Sequence, residues 1–578
     1  MICMKKLVIK HFENFVWFYN YLSNKLFLSV ALSILVGLLD GMSLTLFLPL
    51  LQMVSDPLSP SSEGLGKSDF LVEWINAFGV EINFGVILIS MIIFFTLKGI
   101  AKFIFEVYRV NLQHFLLRQI RLQLLEGINK ISYNYYLESD IGQIQNTLTG
   151  EIDRIKQAFE FYFKALEQFF LLIVYIAFAF FIDYKFAFLV SIGGLLTNFM
   201  YQFIYFKTKN ISLKFTSSNN LLQSQIIQYI SNFKYLHATG TFKVYYSIIK
   251  KTIEDIEFTR KKIGFLNSIL ISLREPIVIT IVAVVMFLQI NMFGGNLAPI
   301  ILSLLFFYRA LSSLTALQNN WNKFAGLYGT LTNLNTFKAE LNKNKLPKHQ
   351  VKYIGIKKSI TLTNINFSYG ERQILKDVNL TIQKNESIAF LGNTGSGKTT
   401  LVNIISGLLS PNSGSISIDN QKLSKIDKNS FQKRIGYITQ EPVIFNDTLY
   451  NNITLWDKRN EANTKLFNKV INQAILSELI SQMSQKEDTV LGNNGVNLSG
   501  GQRQRISIAR ELYKKIDVLI MDESTSSLDS DTEILIKSSI DSLKNNVTLI
   551  IIAHRLSTIE SVDKIYNLNN GILTLNNN

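Results

Sequence analysis

The run GNTGSGKT at 392–399 has the residue types of a phosphate cradle. Gly392, Gly395 and Gly397 free the backbone to curl, so that its N–H groups converge on phosphate oxygens. Asn393, Thr394 and Ser396 complete the loop, Lys398 brings a point charge to the β- and γ-phosphates, and the Thr399 hydroxyl suits Mg²⁺. The apolar strand SIAFL (387–391) leads in, and Thr400 follows in the first turn of the helix TLVNIISGL. That helix adds its positive N-terminal end. A second motif, VLIMDE at 518–523, is an apolar strand ending in two carboxylates. Asp522 would hold Mg²⁺ and Glu523 would polarise an attacking water; an acidic pair in isolation would only cap a helix. A third, LSGGQRQR at 498–505, is a glycine turn that opens a helix and aims its N-terminus outward. Together they describe a site for a magnesium nucleoside triphosphate.

Such loops must be held by a parallel sheet. After the Lys-rich stretch 338–352, short β-branched runs alternate with helical segments and Gly/Asn/Ser turns, which reads as an α/β domain. The rest of the chain is different. Of its 578 residues 48% are apolar and 17% charged, against about 25% charged in an ordinary soluble domain. With only 8 prolines the composition excludes disorder, and the length excludes one soluble core. The single cysteine, Cys3, excludes an internal disulfide and a multi-cysteine metal site.

Long apolar runs fill the first half, at 26–54, about 84–107, 158–182, 186–206, about 264–291 and 297–320. Each can cross a core of ~30 Å, which takes about 20 helical residues, so six spans are expected. The first far exceeds the apolar stretch of a signal peptide. Lysine and arginine crowd the segments before the first run, at about 109–157 and at 207–263, while 55–83 holds one Lys against five acids. Both termini are therefore expected on the cytoplasmic side. The long inner segments read as helical extensions that reverse near Tyr133–Gly150 and Ile230–Gly240. The stretch 70–78 is either a short outer-face helix or a plain connector. The net charge of +15 fits the anionic inner face of a membrane, because it lies along these flanks; a nucleic-acid partner is not expected. The expected organisation is an elbow segment at 1–25, a transmembrane domain of six helices at 26–337, a linker at 338–354 and a nucleotide-binding domain at 355–578.

The three motifs in this order resemble the nucleotide-binding domain of ABC transporters over about 355–570, and with the six spans the whole chain resembles an ABC exporter half-transporter of the type IV fold. The resemblance implies further roles. Tyr369, in FSYG, matches the aromatic that stacks on adenine, and Gln440, in YITQEP, the glutamine that reaches Mg²⁺ and water. Ser499, Gly500, Gly501 and Gln502 match the signature that caps the γ-phosphate of the opposite subunit. Ser527, Leu528 and Asp529 match the loop coupling two sites, and His554 the γ-phosphate histidine. A dimer follows, most simply a homodimer with two competent ATP sites, with a heterodimer open. One departure stands out: TVLGNNG (489–495) has Asn493 where exporters usually carry a glutamate that contacts the inner helices.

Charges within the spans bear on cargo, because each costs about 2.5–3.5 kcal/mol to insert. Arg309 is about 17 Å and Arg274 about 25 Å from the outer interface by helical rise, and Asp40 also falls near mid-depth. Arg309 either contacts an anionic cargo or pairs with Asp40 or Glu275, and pairing is the favoured expectation. Lys98, Lys102, Lys164 and Arg274 are expected to snorkel toward the cytoplasmic edge, nearly balanced by Glu106, Glu160, Glu167 and Glu275, so the cavity is not expected to be tuned for a polyanion. LTGEIDRI (148–155), ISNFKYL (230–236), the NLSGGQ context and an outer helix at 70–78 look most like flippases for lipid-linked oligosaccharides. A peptide or small hydrophobic cargo is the alternative, and an ATP-gated membrane ATPase without transport is a second.

Overall fold

Five of the expected runs lie on helices much longer than a bilayer is thick. The computed structural model describes residues 13–47, 50, 83–182, 184–288, 297–346, 351–522, 534, 538, 540–541, 543–553 and 562–576. The stretch 70–78 and the turn 290–296 lie outside them, as do the side chains of Arg274 and Glu275. The membrane half is built on the helices Lys25–Thr45, Phe84–Ile128, Gly150–Ile182, Tyr184–Ser231, Phe242–Leu288 and Leu297–Ala325. Among the described residues Lys25–Thr45, Phe84–Ile128 and Ile141–Phe180 are long and apolar enough to cross a membrane. The 48 residues of Tyr184–Ser231 and 47 of Phe242–Leu288 run far past a 20-residue crossing, so they continue into water. Between them the chain reverses through the short helix Phe233–Ala238 and Gly240, whose φ of +70° favours glycine. The earlier reversal uses the helices Tyr133–Glu138 and Ile141–Leu148, the second capped by Asp140.

Packing in the first span follows a spacing of four. Ser29, Ser33, Gly37, Gly41 and Thr45 share one face and all are buried. A Cβ on Gly41 would stand 2.3 Å from the Phe178 ring, and one on Gly37 3.2 Å from Val174. Small residues thus let this helix press on Gly150–Ile182, as van der Waals packing in lipid requires. The N-terminal helix Glu13–Leu22 buries Phe18 among Phe159, Tyr162 and Phe163. Its Trp17 indole N–H donates to Asn335 at 2.9 Å, on the helix Tyr328–Lys343 that leads out of this half.

The intramembrane charges are arranged differently from the expectation. Asp40 is buried, and it is Lys98, not Arg309, that pairs with it, at 2.5 Å. The Tyr175 hydroxyl donates to its other oxygen. Lys98 therefore does not snorkel. Helices Lys25–Thr45 and Phe84–Ile128 run side by side, so the two charges meet at one depth, and pairing costs less than exposing either to lipid. Arg309 forms no ion pair among the described residues. Elsewhere on these helices Lys164 pairs with Glu160 at 2.6 Å, and Arg109 pairs with Glu106 and Glu167.

The chain divides into two compact units. One holds residues up to Ile131 and Glu138–Lys345; the other holds Ser132–Leu137 and everything from Leu346 on. The tip of the first reversal thus clusters with the second unit, where Tyr133 packs against the main core. That unit has two sheets. Strands β1 (Ser359–Tyr369), β2 (Arg372–Gln383), β4 (Ser413–Ile418) and β5 (Gln421–Lys422) form an antiparallel sheet in the order β2-β1-β4-β5. Strands β3 (Ser387–Leu391), β6 (Ile435–Ile438), β7 (Val518–Asp522), β8 (Thr548–Ile552), β9 (Lys564–Asn569) and β10 (Ile572–Asn576) form the other, in the order β10-β9-β3-β8-β7-β6. All its pairs are parallel except β10–β9. The main core lies between the sheets, where Ile365, Leu375 and Ile382 meet Ile388, Phe390, Leu401 and Ile405. A second core under 444–513 holds Leu449, Phe467 and Ile506.

Candidate nucleotide site

In parallel sheets ligands collect beyond the carboxyl ends of the strands, and the three motifs arrive there together. β3 is buried as far as Phe390, then passes through Leu391 into the loop 392–397. β7 ends on Asp522, which lies opposite Ile552 at the end of β8. β6 ends at Ile438, two residues before Gln440. Strand register alone therefore draws the loop, Asp522 and Gln440 to one rim.

The loop needs its glycines. Gly392, Gly395 and Gly397 have φ of +147°, +80° and +105°, where a side chain is strained. A Cβ on Gly392 would stand 2.3 Å from the Leu568 carbonyl oxygen, and one on Gly397 2.9 Å from Ile374. Gly395 faces open space. Lys398 is buried, and its Nζ donates to the carbonyls of Gly392 (2.7 Å) and Asn393 (3.1 Å), which holds the curl closed. The Ser396 hydroxyl is buried in the loop without a hydrogen-bond partner, so the cradle carries a polar atom it does not itself satisfy.

A cavity of about 490 Å³ opens over this loop. Thr394, Gly395, Gly397, Lys398, Thr399 and Thr400 line it from below, with Gln440, Asp522, Arg372 and Ile374 around the rim. Thr399, Gln440 and Asp522 contribute a hydroxyl, an amide and a carboxylate, the hard oxygen donors that suit Mg²⁺. Burial, with the Asp522 carboxylate nearby, pushes the Tyr437 phenol up from its ordinary range. The Tyr437 hydroxyl donates to Asn403 at 3.3 Å, behind the loop helix.

The other expected residues fall in three groups. Tyr369 ends β1 with its ring edge-on to Phe367 at 4.8 Å and 40% exposed, next to the cavity mouth through its register partner Arg372. Ser499, Gly500, Gly501 and Gln502 open the helix Gly500–Tyr513 and are not among the residues lining the cavity. There Ser499 and Gln502 cap each other reciprocally, at 2.8 and 3.1 Å, which fixes the exposed turn. Glu523, Ser527, Leu528, Asp529 and His554 lie outside the described residues; Glu523 directly follows Asp522, and His554 follows Ala553 beyond β8. Asn493 sits exposed in the turn Asn493–Gly495. The sequence reading missed Arg372, because an arginine after Gly370–Glu371 reads as an ordinary solvated turn charge.

A phosphate loop at the carboxyl edge of a parallel sheet, joined to a bundle of membrane-length helices, defines a membrane-coupled ATPase. Residues 375–526 match the family described as ABC transporter, and 26–313 match the ABC transporter transmembrane region. The chain belongs to the ABC transporters and has the architecture of an exporter half-transporter, an ATP hydrolase coupled to transport. It is 26% identical to the heterocyst differentiation ATP-binding protein HepA of a Nostoc species, over 94% of this chain and 89% of that protein. It is 26% identical to the ATP-dependent lipid A-core flippase of Haemophilus ducreyi, over 96% and 92%. A flippase of the same description from Francisella tularensis is 38% identical, but over only 37% of this chain and 35% of that protein. The fold matches a bacterial Atm1-family ABC exporter with a TM-score of 0.78, at 20% identity, over 96% of this chain and 95% of that one.

Proposed function

We propose that two identical copies of this chain close on two molecules of ATP and use the cycle to flip an amphipathic lipid across the cytoplasmic membrane, both termini lying on the cytoplasmic side. The observation that supports the dimer is the separation of the Ser499–Gln502 turn from the cavity it is expected to complete. A second copy supplies that turn, and a different, degenerate partner would serve the same geometry.

Within each site the loop amides and Lys398 hold the phosphates, and Tyr369 stacks on the base. Such stacking contributes only about 0.5–1.5 kcal/mol, so affinity rests mainly on the phosphates. Glu523 takes a proton from water as its oxygen attacks the γ-phosphorus. The bond to the bridging oxygen breaks, and ADP and phosphate leave. Gln440 orients that water, and His554 donates to a γ-phosphate oxygen. Thr399, Gln440 and Asp522 would hold Mg²⁺, which neutralises β,γ-oxygen charge when bound. Asp529 carries the state of one site to the other. Closure and reopening pass through the reversals near Tyr133–Gly150 and Ile230–Gly240 to the spans, with Asn493 giving a neutral contact where a charged one is usual.

Arg309 supports the lipid reading. With Asp40 taken by Lys98 and Tyr175, an exposed guanidinium near mid-membrane remains without an ion pair among the described residues. An anionic headgroup, such as the pyrophosphate of a lipid-linked oligosaccharide, would offset its cost; Arg274 is a second candidate on the same grounds of depth. An uncharged peptide cargo would bring it no counter-charge. The test uses purified protein in vesicles holding fluorescent polyprenyl-pyrophosphate sugars, neutral lipids or peptides. ATP-dependent flipping of the pyrophosphate lipid, reduced at least tenfold by Arg309→Gln with basal ATPase activity retained, is expected. Equal transport by the variant, or movement of peptide alone, would overturn the assignment. ATP turnover with no vectorial movement of any probe would favour the non-transporting ATPase.

A further inference from the structure

The cations of the membrane half are not all neutralised. Lys98, Arg109, Lys164 and Arg260 each have a carboxylate partner. Lys25, Lys207, Lys209, Lys262 and Lys323 form no ion pair among the described residues; each instead holds its ammonium 3.6–5.9 Å from the centre of an aromatic ring. These five sit at one level. Counted by helical rise from the helix ends Tyr184, Leu288 and Leu297, Lys207, Lys209, Lys262 and Lys323 are about 35–39 Å along. Lys25 belongs with them, because its carbonyl accepts from the Tyr108 hydroxyl, about 36 Å from the helix end Phe84. The hydrocarbon core is ~30 Å thick and the whole bilayer about 40–45 Å. The ammonium groups therefore lie in a headgroup layer, on the side assigned above to the cytoplasm.

Two of them flank a joint. The helix Leu297–Ala325 stops two residues after Lys323, and the next, Tyr328–Lys343, begins on the ring that Lys209 covers at 3.6 Å. The Ser212 hydroxyl, on the same helix as Lys209, fixes the break from both sides. It donates to the Gly326 carbonyl at 2.7 Å and accepts from the Gly329 N–H at 3.1 Å. A Cβ on Gly329 would stand 2.6 Å from the Ser212 carbonyl oxygen, so this close approach needs glycine. Charge bound at Lys209 thus acts where the last span hands over to the helix that leads out of this half.

We infer that this collar, centred on Lys209 and Lys323, binds the phosphate of anionic phospholipids of the cytoplasmic leaflet. A ring face places an ammonium without neutralising it, and leaves N–H donors for an anion. In the headgroup layer the counter-charge at hand is a lipid phosphate. A zwitterionic lipid brings that phosphate with its own cation, whereas an anionic lipid leaves it free. Basic pockets at this level suit such headgroups. The inference takes from the orientation proposed above only which leaflet is meant, and takes nothing from the cargo.

The test places the full-length protein in lipid discs and reads energy transfer from its tryptophans to dansyl-labelled phosphatidylglycerol or phosphatidylcholine. The native protein should prefer phosphatidylglycerol at least about fivefold, the factor one lysine contributes near an anionic surface. The preference should fade between about 0.1 and 1 M salt, where the Debye length falls from about 10 to 3 Å. Lys209→Gln with Lys323→Gln should lower it at least about threefold, and Lys209→Arg with Lys323→Arg should keep it. Lys251 and Lys261 are exposed, and Lys251→Gln with Lys261→Gln removes the same charge without touching a stacked lysine; it should leave the preference nearly unchanged. Equal retention of the two lipids by the native protein overturns the inference, as does an equal loss in this control, which would mean diffuse charge alone. Displacement of phosphatidylglycerol by millimolar pyrophosphate at matched ionic strength also overturns it, in favour of a site for soluble or cargo phosphate. The discs hold no cargo and read either leaflet, so failure of the flippase assignment or of the orientation leaves this result standing.

Discussion

Glu523→Gln is expected to keep nucleotide affinity within about twofold and to slow hydrolysis by about 10²–10⁴-fold, the range for losing a general base. The substitution is nearly isosteric, so the strand it follows should be undisturbed. β7 is buried from Val518 to Met521 and paired on both sides, and Asp522 lines the cavity. Glu523 follows Asp522 directly in the chain, and its role as base is the one proposed above. An amide in that place still donates and accepts hydrogen bonds but does not take the proton. Phosphate release from the purified protein, read beside equilibrium ATP binding, separates the two effects. Turnover at the native rate would remove Glu523 from the role of base. Parallel losses of binding and turnover would make it a structural residue.

The second large effect lies in the membrane. Lys98→Met should destabilise the protein by about 3–5 kcal/mol, because it leaves the Asp40 carboxylate buried with one neutral partner. Asp40→Asn should cost clearly less. The asymmetry comes from burial and reach: the Asp40 side chain is 4% exposed and that of Lys98 24%, and the long lysine stem can carry a stranded ammonium along its helix toward an interface, whereas the short carboxylate stays where it is. The double variant should recover most of the loss, since two neutral side chains of similar volume need no counter-charge. Thermal unfolding of the four proteins in one detergent gives the coupling. Additive effects would mean that the pair does not hold the first two spans together.

The ATP site was legible because its chemistry dictates residue type at each step. A loop that turns its amides inward requires glycine at Gly392 and Gly397, and the structure adds only that their neighbours leave no room for a Cβ. The helical runs were legible because a bilayer sets their length. What escaped was set by tertiary neighbours. Asp40 and Lys98 are 58 residues apart, and nothing local chooses Lys98 over Arg309. The small-residue stripe from Ser29 to Thr45 has meaning only once Val174 and Phe178 lie against it. Phe18 reads as one more apolar residue of the elbow segment, yet it is fully buried in a ring cluster of another helix. Arg372 belongs to the site only because β2 returns beside β1 and lays Ile374 on the loop. The tip of the first reversal gave no sign that Tyr133 would join the core of the ATPase unit.

The closest test of the account asks whether two copies meet across the nucleotide. Cys3 is the only native cysteine, so Cys3→Ser gives a clean background for Thr394→Cys in the loop and Ser499→Cys in the exposed turn. Mild oxidation of the reconstituted protein should yield a disulfide-linked dimer with MgATP in the presence of Glu523→Gln, and little without nucleotide. A cross-link formed equally with and without ATP, or none under either condition, would contradict closure of two chains on shared nucleotide.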